Sequence, residues 1–159
     1  MKVEELKIGN IIEVNHFEYG DMYASVISIN DTGDLCLHLL DERFTKEEYE
    51  CTLNEVCSIP ITEELLLNNG FDNRNNLASL YLGENVFSLT KHPDLNGLWL
   101  SLIKEEDGWQ IHSLCADNYG MSNFVRPIHY VHEMQNFLSL VKHGFNIKIS
   151  YKSELCGKH

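Results

Sequence analysis

The chain has 159 residues, of which 43% are apolar and 10% aromatic, with only three prolines; this composition indicates a globular protein and excludes disordered and collagen-like chains. The formal net charge of −12 argues against direct nucleic-acid binding, because the phosphate backbone is bound mainly through Lys and Arg. No segment approaches the roughly 18 consecutive apolar residues that a membrane helix needs, so no membrane association is expected.

Residues 1–6 lack the apolar core of a secretory signal, and a cytoplasmic location is therefore expected. The cysteines are odd in number and include no CxxC pair, which argues against a disulfide framework and against a zinc knuckle. Reduced thiols are expected at Cys36, Cys51, Cys57, Cys115 and Cys156.

The first 60 residues carry the alternation of apolar and polar side chains that is typical of strands. It predicts four short strands, at 11–14, 23–29, 35–40 and 44–53. Turn-forming residues at 30–34 give a strong hairpin connection, and those at 18–21 give a weaker one. Several short antiparallel strands in such a length predict a small SH3-like β-barrel over residues 1–60.

Residues 61–159 are predicted to form an α+β lobe. Thr62 caps a short helix at 63–69, two acids follow it in the first turn, and Gly70 ends the helix. An antiparallel meander is then expected, with strands at 77–82, 85–90, 98–103 and 109–116. The predicted fold class is thus α+β: an N-terminal SH3-like barrel, then a β-meander packed against one short and one longer helix, all in one compact unit.

The longer helix is predicted to begin with Pro127 as its first residue and to end at Gly144, before a last strand at 145–151. Its helical period gathers an apolar stripe of Tyr130, Val131, Met134, Phe137, Leu138 and Val141. The opposite face gathers His129, His132, Asn136 and His143, and we expect this face to be exposed.

Three segments, spread over most of the chain, carry a resemblance to known proteins. They are residues 6–10 (LKIGN), residues 59–66 (IPITEELL) followed by Gly70 and Phe71, and residues 128–137 (IHYVHEMQNF). In these features the sequence resembles a set of small uncharacterised proteins from the genomes, prophages and mobile elements of Bacteroides-type gut bacteria. The resemblance implies an accessory protein of a phage or mobile element, and it supplies no catalytic residue.

Charge is unevenly distributed along the chain. Residues 1–60 hold 13 acids and 4 bases, residues 61–125 hold 9 and 3, and residues 126–159 hold 2 and 5, so the net charges are −9, −6 and +3. The basic C-terminal segment suggests an anion site at the start of the longer helix, where free backbone N–H groups attract negative charge. Its candidate ligand-binding residues are Arg126, His129, His132, Asn136 and Lys148.

Other chemistry finds little support in the sequence. His129 and His132 lie three residues apart with Glu133 beside them, but His143 is about 16 Å further along a helix axis, so no metal site is expected. No cofactor is expected either. The chain contains no nucleophile elbow, P-loop or dinucleotide-binding glycine motif, and a non-enzymatic role is predicted.

Two functions remain open. The first is a protein-interaction module for a host or phage protein, using the acidic N-terminal lobe or an exposed patch around Trp99 or Trp109. The alternative is the binding or sequestration of a phosphate-bearing small molecule, such as a nucleotide immune signal, which needs a pocket near the C-terminal helix.

Overall fold

The structure, a computed structural model, describes residues 2–44, 48–73, 85–89, 98–115, 121–123 and 127–141. Its strands are β1 (Ile11–His16), β2 (Gly20–Ile29), β3 (Leu35–Leu39), β4 (Glu48–Cys51), β5 (Val56–Cys57), β6 (Val86–Leu89), β7 (Leu98–Glu105), β8 (Gly108–Cys115) and β9 (Met121–Asn123). The two α-helices among the described residues are α1 (Glu63–Asn68) and α2 (Val131–Val141). Short 3-10 turns are formed by Val3–Glu5, Glu42–Phe44 and Leu53–Glu55.

The described residues group into two compact units. The first contains the residues up to Pro60 together with the segment from Tyr130, and the second contains the residues from Ile61 to His129. The predicted lobe 61–159 includes the longer helix, whereas the structure groups α2 with the N-terminal sheet. The predicted last strand at 145–151 and the predicted strand at 77–82 lie outside the described residues.

The first unit is built on a five-stranded antiparallel sheet in the order β4-β3-β2-β1-β5. The predicted SH3-like barrel is wrong, because β4 and β5 stand at the two ends of this order and the described strands leave the sheet open. A barrel forms only when the first and last strands also pair. The alternation in the sequence predicted the strands themselves, but it carries no information on which strands pair.

One face of this sheet forms the core of the first unit. Because side chains alternate across a strand, every second residue of β1, β2 and β3 points to the same side. The buried cluster contains Leu6, Ile12, Val14, Met22, Ala24, Val26, Leu35, Leu37, Leu39, Cys51 and Val56. The predicted hairpin at 30–34 is confirmed, and the Asn30 side chain accepts hydrogen bonds from the backbone N–H groups of Thr32 and Asp34.

Helix α2 begins four residues later than the sequence predicted. Pro127 is not its first residue, because the N–H and carbonyl of Ile128 pair with Trp109 in an isolated bridge. The helix starts at Val131, and the Glu133 side chain accepts a hydrogen bond from the Tyr130 N–H at 3.1 Å, as in one half of a capping box.

Both the apolar and the polar side of α2 contact other residues of the first unit. Of the predicted apolar stripe, Val131, Met134 and Leu138 are buried as expected and Phe137 is half-buried, whereas Tyr130 precedes the helix and is 40% exposed. On the polar side, the Gln135 side chain accepts the Ile11 N–H at 2.8 Å, and the Asn136 amide donates to the Glu5 carbonyl at 2.7 Å. The predicted exposure is wrong for His132, which is 1% exposed, and Asn136 is half-buried; His129 is exposed but precedes the helix, and His143 lies outside the described residues. A helical period separates apolar from polar residues, but it does not show whether the polar side meets water or another segment.

The second unit contains a four-stranded antiparallel sheet in the order β6-β7-β8-β9. The predicted short helix is confirmed as α1, with the Thr62 hydroxyl accepting the Leu65 N–H and Gly70 in the left-handed conformation at φ 84°. One face of the sheet is apolar and buried, with Phe87, Leu89, Leu100, Leu102, Trp109 and Ile111. Within the described residues, no helix is long and apolar enough to span a bilayer.

Candidate interaction surface of the first unit

The β1–β2 hairpin places aromatic side chains at its turn. Strand β1 ends at His16, which pairs with Gly20, and the turn between them contains Phe17, Glu18 and Tyr19. Gly20 has φ 75°, a left-handed conformation that favours glycine and allows this tight return of the chain. The turn therefore presents two aromatic residues on either side of an acid.

His16 is the centre of an aromatic cluster. Its ring stacks with Phe17 at a centroid distance of 4.9 Å and with Tyr19 at 4.8 Å, and it meets Tyr49 of β4 at 4.7 Å. Tyr19 also contacts Phe44 at 4.6 Å. Such offset and tilted ring pairs are favourable beyond the area that they bury. We call the five residues His16, Phe17, Tyr19, Phe44 and Tyr49 the aromatic patch.

The contact between His16 and Tyr49 depends on the curvature of the sheet. Two strands, β2 and β3, separate β1 from β4. In a flat sheet, the axes of β1 and β4 would therefore lie about 14 Å apart. Both side chains lie on the core side of their strands, so curling of the sheet brings them together at one end of the core. Tyr49 and Phe44 pack against that core as partly buried residues, and they anchor the patch to it.

The outer part of the patch is open to solvent. Phe17 is 78% exposed and Tyr19 47%, whereas His16 beneath them is only 7% exposed. The Nδ1 atom of His16 accepts a hydrogen bond from the Glu18 N–H at 3.2 Å, so the proton of the neutral ring lies on Nε2. The hydrogen bond and the ring contacts hold the turn and the central imidazole together, and they give the exposed rings a fixed base.

The two segments that supply the aromatic patch are acidic. The segments 13–21 and 41–50, which supply all five of its members, contain three and five acids, eight in total, against two bases. Burial, and next the negative charge of Asp21, raise the pKa of the Glu13 carboxyl; both side chains lie on the face of the sheet opposite to His16.

An internal cation already lies at the edge of the patch. The Arg43 guanidinium is 5.3 Å from the centre of the Phe44 ring, and it donates to both carboxylate oxygens of Asp41, at 2.9 and 2.7 Å. These hydrogen bonds hold the pKa of Asp41 below its usual range. One ring of the patch therefore combines with a nearby carboxylate to hold a planar cation.

The predicted anion-site residues are not gathered into one site among the described residues. Arg126 and Lys148 lie outside them. His132 and Asn136 belong to the first unit and His129 to the second. His132 is 1% exposed, and Asn136 accepts a hydrogen bond from the Asn10 amide at 3.0 Å in addition to its bond to Glu5.

The environment of His132 is that of a packed side chain. Its ring stacks on Tyr130 at 5.8 Å, and its Nδ1 atom is buried without a hydrogen-bond partner. Burial lowers its pKa, although the charges of Glu133 and Glu5 oppose this effect. A neutral, enclosed imidazole is a poor donor for an anionic ligand. In the described part of the chain, no group of three or more His, Cys, Asp or Glu side chains is placed to hold a metal ion.

The two tryptophans predicted for partner binding are Trp99 and Trp109. The Trp99 side chain lies outside the described residues. Trp109 is 5% exposed, contacts Phe87 edge-on at 5.4 Å and donates its indole N–H to the Ile61 carbonyl at 3.0 Å. The expected exposed patch around Trp109 is therefore absent, because this side chain belongs to the core of the second unit.

Each unit has an open groove whose wall includes acids. A groove of about 380 Å³ in the first unit includes Asp34, Glu50 and Glu55 in its wall. A wider one of about 710 Å³ in the second unit includes Glu105, Glu106 and Asp107. Such walls repel a phosphate group, and neither groove suits the predicted anionic ligand.

Sequence reasoning missed the aromatic patch, although part of it was visible. The turn at 18–21 was predicted, and Phe17 and Tyr19 at a turn have no strand neighbour to cover them. The contribution of Phe44 and Tyr49 could not be found from the sequence, since it depends on the curling of the sheet. No family model matches this chain, and the comparisons with curated proteins and with solved structures gave no match.

Proposed function

We propose that this chain is a non-enzymatic protein-interaction module and that its first unit docks a partner protein through the aromatic patch. The exposure of Phe17 carries the proposal: this ring is 78% exposed, yet it is held against His16 at the tip of a hairpin. Isolated exposed apolar residues are common, but a linked group of exposed rings on a fixed base is typical of binding surfaces. Tyrosine is also enriched among residues that dominate interface energies.

Two of the three cysteines in the first unit, Cys36 and Cys51, are poorly suited to nucleophilic catalysis. Burial raises the pKa of the Cys51 thiol to about 11, and burial and the charge of Glu48 raise the pKa of Cys36. The thiolate is the reactive form of cysteine, so these two side chains are poor nucleophiles near neutral pH.

The proposed setting follows from the sequence resemblance. We propose that the protein acts in the cytoplasm as an accessory protein of a phage or mobile element, and that its partner is a host or phage protein. The alternative is a phosphate-bearing ligand at the start of α2, but several backbone N–H groups expected to bind it already donate to other groups of the chain. The N–H groups of Ile128 and Val131 donate to the carbonyls of Trp109 and Ile59, and that of Tyr130 donates to Glu133.

The proposal is tested by quantitative affinity capture with a matched pair of variants. Phe17→Ser removes the exposed ring, and Ile8→Ser removes an apolar side chain that is 74% exposed on the same unit but lies outside the patch. Tagged wild type and both variants are incubated with lysate of the source cell. Any protein that wild type and Ile8→Ser retain, and that Phe17→Ser loses, is purified and titrated against all three by calorimetry.

A reconstituted complex with this pattern supports the proposal. The proposal fails if every captured protein binds Phe17→Ser as tightly as wild type, or if no captured protein binds in the purified system. Circular dichroism of the variants ensures that loss of binding does not reflect loss of folding.

A further inference from the structure

The ring of Phe17 offers a free face beside negative charge. One of its faces lies against His16, with the two ring planes 21° apart, and the residue is still 78% exposed. Glu18 follows directly in the same turn, and its carboxylate side chain is exposed. The face of an aromatic ring carries partial negative charge, so a ring face next to a carboxylate attracts cations.

Arg43 shows which cation this environment accommodates. Its guanidinium stands over Phe44 and makes a two-point contact with Asp41, while its side chain remains 56% exposed. A planar guanidinium can stack on a ring and bind a carboxylate at the same time, whereas a lysine ammonium is a compact charge that keeps its water more strongly. The rings of Phe17 and Tyr19 continue from Phe44 through the contacts of the patch.

The charge of the surrounding segments selects against anionic partners. Segments 13–21 and 41–50, which supply the patch, hold eight acids and two bases, a net charge of −6 along the sequence. An acidic peptide, a nucleic acid or an anionic lipid surface is repelled by segments of this charge, and a basic segment is attracted to them.

Resting on the proposed function, we infer that the aromatic patch recognises an arginine-bearing segment of the partner protein, with a guanidinium stacked on the open face of Phe17 and paired with Glu18. The arrangement repeats the one that Arg43, Phe44 and Asp41 form within the chain. Tyr19 provides the adjoining ring, and the surplus of acids provides the longer-range attraction.

The test uses the full chain and four short peptides that differ only in two side chains. Two arginines in a glycine background are compared with two citrullines, which keep the shape and lose the charge, with two lysines and with two glutamates. Binding is followed by the NMR signals of the Phe17, Tyr19 and His16 rings during titration. The arginine peptide is expected to move these signals and to bind at least about fivefold more tightly than the citrulline peptide.

Protein variants locate the contact. Phe17→Leu keeps an apolar side chain but removes the ring face, and it is expected to weaken the arginine peptide by about two- to fivefold. Glu18→Gln weakens it to a smaller extent, and the difference shrinks at high salt because exposed charges are screened. Ile8→Ser, the matched control, leaves binding unchanged.

Three results overturn the inference: equal affinity for the arginine and citrulline peptides, ring signals that do not move at millimolar arginine peptide, or full binding by Phe17→Leu. The outcomes also separate this inference from the proposed function. If Phe17→Ser loses the natural partner while the arginine peptide does not bind, the interaction module stands and its cationic specificity falls. If the arginine peptide binds but capture of every partner ignores Phe17→Ser, the proposed function falls.

Discussion

The two units each hold a cluster of rings, and the clusters differ in exposure. In the second unit, Trp109 is 5% exposed, contacts Phe87 at 5.4 Å and donates its indole N–H to the Ile61 carbonyl. In the first unit, Phe17 and Tyr19 stack on His16 and remain 78% and 47% exposed. Both regions are clusters of contacting rings. The Trp109 cluster is buried in its own unit, whereas the aromatic patch packs on the core through Phe44 and Tyr49 and exposes Phe17 and Tyr19 to solvent. A buried ring cluster stabilises the fold, and an exposed one offers a surface to which a partner protein can bind.

The largest effect is expected for Trp109→Ala. The substitution opens a cavity in the core of the second unit and leaves the Ile61 carbonyl without its indole donor. The free energy of unfolding should fall by about 3–5 kcal/mol, measured by urea denaturation followed by circular dichroism. Trp109→Phe keeps much of the ring and should cost less. A cost for Trp109→Ala below that for Phe17→Ala would break the contrast between the two clusters.

A buried polar pair in the second unit should give the next largest effect. The hydroxyls of Ser88 and Ser101 lie 2.7 Å apart on neighbouring strands, and both residues are 0% exposed. Ser88→Ala leaves the Ser101 hydroxyl buried without this partner and should cost about 1–3 kcal/mol of unfolding free energy. The double alanine variant should cost less than the sum of the two single variants. Strict additivity would contradict the importance of the pair.

A smaller, pH-dependent effect is expected from His132 in the first unit. Its pKa in the folded protein is lowered from 6.5 by burial, so the unfolded chain takes up a proton more readily. The stability contributed by the neutral ring is present above about pH 6.5 and is lost as the pH falls through the lowered pKa. Between about pH 7.5 and about pH 5, wild type should lose more unfolding free energy than His132→Phe, which cannot be protonated.

Parallel pH profiles for wild type and His132→Phe would show that the buried imidazole does not control this loss. His132→Phe keeps a ring that can stack on Tyr130, so a difference between the profiles reports on the charge and not on the packing. Urea denaturation at each pH provides the measurement.

The smallest effect on stability is expected for Phe17→Ser. Because Phe17 is 78% exposed, its loss should change the unfolding free energy by no more than about 0.5 kcal/mol. Partner binding should nevertheless be lost, and this combination defines the aromatic patch as a binding surface. A large loss of unfolding free energy in the same experiment would show that Phe17 stabilises the fold as Trp109 does, and the contrast between the two clusters would not hold.

Much of the local structure could be predicted because its causes are local. The Thr62 hydroxyl and Gly70 bound α1 through caps that lie within a few residues of each other. The hairpin at 30–34 is set by the side chain of Asn30, which bonds to its own turn. The start of α2 was missed because Ile128 pairs with Trp109, a partner distant in sequence that competes with the helical conformation favoured by Pro127.

The burial of the predicted site residues depends on contacts that lie outside any local pattern. His132 was expected to be exposed, since a helical period describes one helix and not the segments around it; the bonds of Gln135 to Ile11 and of Asn136 to Glu5 engage its polar side. An exposed patch was predicted around Trp109, yet only the position of the Ile61 carbonyl shows that the indole N–H is satisfied inside the unit.

The sequence by itself determined the excess of acids, the positions of most strands, the caps of α1 and the apolar stripe of α2, because composition, alternation and capping act over a few neighbouring residues. Only the tertiary structure decided that the first sheet stays open, that His132 is buried and that Tyr49 of β4 meets His16 of β1. Strand pairing and sheet curvature join residues more than 30 positions apart, and no local pattern specifies which of them meet. Phe44 and Tyr49 join the aromatic patch because of that curvature.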